Sequence, residues 1–127
     1  MALILDTNAL SAFADGVGAL RKVVDHEPEL AIPVIVLGEY LFGVRRSRHR
    51  VQYESWLTRR LPDFLIVHVE SATAEQYAVV RSELKAAGTP IPSNDLWIAA
   101  LAKQYGFAIV TRDKHFQAIR GVQTLTW

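Results

Sequence analysis

Short apolar runs alternate with longer helix-patterned segments along this chain, and that alternation leaves few folds open. Ala2 to Leu5, Leu30 to Ile32, Phe64 to Val69 and Phe107 to Thr111 read as strands, and Gln123 to Thr126 makes a fifth. Strands joined through helices run parallel, because a parallel pair needs a crossover of a dozen or more residues. A parallel sheet in turn needs helices on its faces. The expectation is an α/β domain with a parallel sheet of four to five strands flanked by helices, spanning residues 1–127 as one unit. A chain of this length buries roughly two thirds of its unfolded surface, enough for a core.

Local signals place the helices. Thr7-Asn8 caps a first helix, Asp15-Gly16 turns the chain, and a second helix runs from about Val17 to Asp25. Pro33 suits a helix start, so Val34 to about Val44 reads as a helix carrying Glu39, although Val34-Ile35-Val36 has strand propensity as well. A polar helix follows from about Ser47 to Arg59. Thr73-Ala74-Glu75-Gln76 has the form of a capping box, and Tyr77, Val80, Leu84 and Ala87 repeat at helical spacing until Gly88 and Pro90 stop them. Asn94 to Tyr105 is a buried helix ended by Gly106.

Four acids stand at the junctions of these elements: Asp6, Glu39, Asp95 and Asp113. Each alone has an ordinary reading, as an Asx turn, a solvated helix residue, a helix-dipole partner or a turn. Together they follow a geometric rule. Ligands of open parallel sheets bind beyond the carboxyl ends of the strands, where strand order reverses. Asp6 and Asp113 close strands, Asp95 opens a helix, and Glu39 lies a turn into the helix after the second strand. Converged carboxylates repel one another unless a hard cation lies among them, and all-oxygen ligation suits Mg²⁺ or Mn²⁺. Thr7, Asn8, Ser93, Asn94 and Thr111 stand beside the acids and can orient carboxylates or hold metal-bound water. The four histidines show no metal-ligand spacing; His115, near Asp113, reads as a solvated turn residue or as a contact for substrate.

Composition excludes other chemistry. There is no cysteine, so disulfides, thiolate zinc sites and a cysteine nucleophile are out, and a reducing compartment fits. No apolar stretch approaches the ~18 residues of a membrane span, and no signal peptide is read. The formal net charge is +1. Two bound divalent cations would add four charges and make the protein more attractive to a polyanion. Arg45, Arg46, Arg48, Arg50, Arg59 and Arg60 are six of the fourteen basic residues. The run from Arg45 to Arg50 is a nucleic-acid patch, a solvated helix junction or a contact for an acidic partner segment. Arg112 and Lys114 flank Asp113 and are better placed for phosphate. Phe42, Tyr53 and Trp56 read as a partner-binding face or as core.

Four motifs in order carry a resemblance: Leu5-Asp6-Thr7-Asn8, Leu37-Gly38-Glu39-Tyr40-Leu41-Phe42-Gly43, Ile91-Pro92-Ser93-Asn94-Asp95-Leu96-Trp97, and Val110-Thr111-Arg112-Asp113-Lys114-His115-Phe116. The chain resembles PIN-domain ribonucleases over nearly its whole length, and among them is most similar to the VapC toxins of toxin–antitoxin pairs. The resemblance implies a single PIN-like, Rossmann-like domain, a Mg²⁺ or Mn²⁺ site and endonucleolytic cleavage of RNA in the cytoplasm. It places the acidic quartet on Asp6, Glu39, Asp95 and Asp113, and the helpers on Thr7, Asn8 and Thr111. It also implies a homodimer and a cognate VapB-like antitoxin. Some family members carry a further acid after the fourth, where this chain has Lys114 and His115. Two alternatives remain at this point. One is a metal-dependent phosphotransfer domain, although Asn8 stands where an aspartyl nucleophile of that kind wants a second Asp. The other is a non-catalytic co-repressor acting with an antitoxin.

Overall fold

In the computed structural model, which describes residues 1–127, the chain runs β1 (Leu3–Leu5), α1 (Thr7–Ala14), α2 (Gly18–Val24), β2 (Leu30–Pro33), α3 (Val34–Arg45), α4 (Arg50–Arg60), β3 (Phe64–Val67), α5 (Ser71–Ala86), α6 (Ser93–Tyr105), β4 (Ala108–Val110) and β5 (Thr124–Leu125). Two short 3₁₀ turns, Leu61–Asp63 and Lys114–Ala118, precede β3 and follow β4. All strands are parallel, in the order β3-β2-β1-β4-β5. The expected sheet is therefore present, with five strands. The first three strands build outward in one direction from β1, and the last two build outward in the other. The switch point falls between β1 and β4, where Leu5 lies opposite Val110. The residues that follow, Asp6 and Thr111, open onto the crevice that this reversal creates.

The burial pattern explains which segments became which element. Every residue of β1 and β4 is buried, as central strands covered on both faces require. In α3, Val36, Tyr40 and Val44 recur four residues apart and are all buried, so the helical period gives these side chains one core-facing stripe. That stripe decides the Val34–Val36 ambiguity in favour of helix. Six residues of α6, from Leu96 to Ala102, are buried. This helix packs chiefly on α5, where Trp97 stacks on Tyr77 at 4.1 Å between ring centroids. Gly106 takes φ +70° and ends α6, a conformation only glycine adopts without strain. No helix is long and apolar enough to cross a membrane.

Several expected boundaries shift, each for a local reason. Asp6, not Thr7-Asn8, caps α1: its backbone is extended and its side chain accepts from the Ala9 N–H, which leaves Thr7 and Asn8 inside the first turn. The Ser47 hydroxyl accepts from the His49 N–H at 3.0 Å, and this local turn holds the chain out of helix until Arg50. β3 stops at Val67 because its partner residue is Pro33, after which β2 turns into α3 and offers no ladder. The capping box of α5 is displaced by three residues. Glu70 is the cap and Thr73 is the third helical residue, its hydroxyl accepting from the Glu70 N–H at 3.1 Å.

That same Thr73 is fully buried and donates its hydroxyl to the Gln104 side chain, pinning α5 to α6, the helix that carries Asp95. Thr73→Val keeps the shape but strands the Glu70 N–H and the Gln104 carbonyl oxygen. It is expected to destabilise the protein by about 2 kcal/mol, the cost of leaving such groups unpaired. Chemical denaturation of the variant measures this.

Candidate active site

Asp6, Glu39, Asp95 and Asp113 border one cavity of about 240 Å³, together with Thr7, Asn8 and Ile98. The four acids come from four different elements. Asp6 follows β1, Glu39 is in α3, Asp95 is in the first turn of α6, and Asp113 caps the 3₁₀ turn after β4.

Asp6 is only 6 % exposed, which makes it the most buried charge in the protein. One oxygen accepts from the Ala9 N–H at 2.9 Å and the other from the Thr111 hydroxyl. Thr111 in turn accepts from the Asp113 N–H at 2.9 Å. The hydroxyl thus links two of the acids through one atom. Burial, the largest influence, raises the Asp6 pKa above the ordinary carboxylate value; the bonds from Thr111 and Ala9 pull it back, and the charges of Asp113 and Asp95 push it further up. Asp95 is also raised, first by burial and then by Asp113 and Glu39, against the opposing effect of His115. Glu39 is oriented by the Thr7 hydroxyl, which donates to it at 2.8 Å.

No lysine or arginine forms an ion pair with any of the four acids. Their only ion-pair partner is His115, whose Nδ1 lies 3.2 Å from Asp95 and 3.1 Å from Asp113. The three ligand atoms offered by Asp95, Asp113 and His115 lie within 4.8 Å of one another, close enough to share an ion. Sequence reasoning read His115 as a solvated turn residue. The structure places it in an exposed turn and in the acidic cluster as well: Asp113 accepts from the His115 N–H at 2.9 Å, and the imidazole reaches both Asp95 and Asp113. An Asp followed two residues later by His, at the end of a strand, is the signal that was available.

The other expected residues divide. Thr7, Asn8 and Thr111 lie at the acids, as anticipated. Asn94 is exposed and does not line the cavity, since adjacent helical residues point about 100° apart and Asp95 takes the inward direction. Arg112 turns to the C-terminus: its Nε donates to the Trp127 carbonyl at 2.8 Å and its guanidinium lies 4.6 Å from that ring's centroid. Lys114 is exposed beside Asp113. Arg45 and Arg46 are exposed at the end of α3, Arg46 over the ring of Phe42. Phe42 itself is 63 % exposed, whereas Tyr53 and Trp56 pack against the core.

Comparison with known proteins follows the same lines. The PIN domain family model matches residues 3–122. Ribonuclease VapC4 of Mycobacterium tuberculosis is 32% identical over 104 residues, 77% of each chain. Ribonuclease VapC2 of Rickettsia felis is 30% identical, covering 100% of this chain and 98% of that one. Among solved structures, VapBC2 from Rickettsia felis bound to a DNA fragment from its promoter superposes with a TM-score of 0.89 at 26% identity, covering 100% of this chain and 99% of that one.

The charge on Asp6 has a signed consequence for stability. A carboxylate whose pKa is raised by folding opposes folding when ionised, and this penalty is relieved as pH falls through the raised value. Asp6→Asn keeps an oxygen to cap α1 and removes the charge. Without divalent cations the variant is expected to melt above the native protein at neutral pH, with the gap closing on acidification toward the ordinary carboxylate range. Thermal melts across pH in chelator test this.

Proposed function

The chain belongs to the PIN-domain family, and from that membership we propose that it is a Mg²⁺- or Mn²⁺-dependent endoribonuclease, the toxin half of a type II toxin–antitoxin pair. One observation carries the reading: four carboxylates from separate elements border one cavity, and no lysine or arginine neutralises them. The names of the relatives, ribonucleases VapC4 and VapC2, support the activity.

The donor set fits the ion. Carboxylate and hydroxyl oxygens predominate, which suits Mg²⁺ or Mn²⁺, and the single imidazole of His115 is tolerated by Mn²⁺. When bound, such an ion polarises a phosphate and lowers the pKa of a water molecule. The chain's own residues supply the rest. Asp6, fixed by Ala9 and Thr111, and Asp95, at the start of α6, would hold the ion directly. Glu39, held by Thr7, and Asp113, linked through Thr111, would complete the set. Asn8 lies on the cavity wall, where its amide can hold a water. Lys114 and the exposed Arg45 and Arg46 attract the phosphates to either side of the cut. Water attacks the phosphorus and the bond to the ribose 3′-oxygen breaks, leaving a 5′-phosphate and a 3′-hydroxyl.

The partners in this reading are an RNA substrate, a second copy of the chain in a homodimer, and a VapB-like antitoxin, all in the cytoplasm. A second role rests on the Rickettsia felis complex, which is bound to promoter DNA. With its antitoxin, this chain joins a repressor complex without reading DNA itself.

Three outcomes are expected of the purified protein. Mg²⁺ at a hundred times its Kd raises stability by about 2.7 kcal/mol, or roughly 10 °C in Tm, and Asp95→Asn abolishes the shift. RNA cleavage stops in chelator and falls of the order of a hundredfold or more in Asp95→Asn, comparable to the loss of one preorganised charge-stabilising group. Product ends carry 5′-phosphate; a 2′,3′-cyclic phosphate, or cleavage undiminished in chelator, refutes the mechanism.

A further inference from the structure

His115 differs from the acids around it in one chemical respect: it offers a nitrogen where they offer oxygen. Its Nδ1 lies 3.2 Å from an Asp95 oxygen and 3.1 Å from an Asp113 oxygen. Those two acids come from different elements, the first turn of α6 and the cap of the 3₁₀ turn after β4. A hydrogen bond accounts for half of this arrangement. Nδ1 carries at most one proton, and that proton points well at one oxygen only. The other short contact is left without a proton along it.

A shared cation accounts for both contacts. Ligands at right angles about an octahedral ion, each about 2.1 Å from it, stand about 3 Å apart. Asp95, Asp113 and His115 each present one atom within 4.8 Å of the other two, and two of the three separations are near that value. The imidazole is also held in place, because the His115 N–H donates to Asp113 at 2.9 Å and so one ligand fixes the backbone of the next. Lys114, between them, is exposed and pairs with no acid. The His115 side chain is half-exposed and lies on the solvent side of the cluster. Nitrogen at that place bears on which ion is preferred. Mg²⁺ is hard, holds its water tightly and gains little from imidazole. Imidazole suits transition ions, and Mn²⁺ is the one among them that also suits carboxylate and water.

We propose that His115 Nδ1 joins Asp95 and Asp113 as a direct ligand of the ion, and that this nitrogen sets a preference for Mn²⁺ over Mg²⁺. The inference rests on the metal-dependent ribonuclease reading and names both the ion and the residue that selects it.

The test reads ion binding to the full-length protein in the absence of RNA. Mn²⁺ is titrated by electron paramagnetic resonance, and Mg²⁺ by its displacement of Mn²⁺. Mn²⁺ is expected to bind tighter than Mg²⁺ by about tenfold or more, and pulsed spectra of protein carrying isotopically labelled histidine to show one imidazole nitrogen coupled to the bound Mn²⁺. His115→Ala abolishes that coupling and weakens Mn²⁺ by about tenfold or more, the scale on which even outer partners of a metal site count, while Mg²⁺ changes by less than about twofold. His115→Asp, which exchanges nitrogen for oxygen, keeps Mn²⁺ bound and loses the preference. Both variants retain the backbone N–H that Asp113 accepts, and melts in chelator separate a loss of folding from a loss of ligation. A native protein without nitrogen coupling overturns the inference. So does a His115→Ala loss that is equal for the two ions, because the imidazole then only shapes the site. RNA cleavage that requires a divalent cation, with no imidazole on that ion, defeats this inference alone. Mn²⁺ held through His115 in a protein that cuts no RNA supports the inference and defeats the ribonuclease reading.

Discussion

The burial of acids that no lysine or arginine neutralises is the constraint on which this site turns. Asp6 and Asp95 are held away from water, and their proton affinities are raised further by neighbouring carboxylates, Asp113 and Asp95 acting on Asp6, Asp113 and Glu39 on Asp95. A fold selected for stability alone would place an arginine among them, and the chain has basic residues in number. None is spent there. The tension is tolerated because the scaffold below is strong: two central strands are wholly buried, and α6 is buried through most of its length. Native proteins commonly carry such local penalties at working sites and offset them elsewhere.

The hydrogen bonds around the acids aim the charge rather than cancel it. Asp6 spends one oxygen on the Ala9 amide and the other on Thr111, so its carboxylate plane is fixed by a helix start on one side and a strand end on the other. Thr7 holds Glu39 across the gap between α1 and α3. A flexible carboxylate would have to be ordered when a cation or substrate arrived; these are ordered by folding. The small polar residues beside the acids thus matter for direction, and their hydroxyls are the shortest side chains able to reach across between elements.

Much of this was legible in the sequence, for identifiable reasons. The parallel sheet followed from run lengths and their alternation, and the quartet followed from where acids stood relative to strand ends. The misses have a common cause. Asp6 as the cap of α1, Glu70 as the cap of α5 and His115 against Asp95 each depend on a side chain bonding to a backbone group or neighbour a few residues away. Several residues near each of those points had suitable chemistry, and only backbone direction selects among them. Arg112 shows the same limit at longer range. Its adjacency to Asp113 suggested a phosphate contact, yet the C-terminal strand brings Trp127 within reach of it. The unpartnered hydroxyl of Tyr40 has no sequence signature at all, since Tyr40 is simply the aromatic member of the buried stripe of α3.

The bond from Thr111 to Asp6 also orders events in time. It joins residues 105 apart, and β4, which lies beside β1, is among the last elements to be made. Synthesis must therefore run past Asp113 before Asp95, Asp113 and the hydroxyl that aims Asp6 exist together. Until β4 can pair with β1, the growing polypeptide carries Asp6 without the partners that complete the acidic centre.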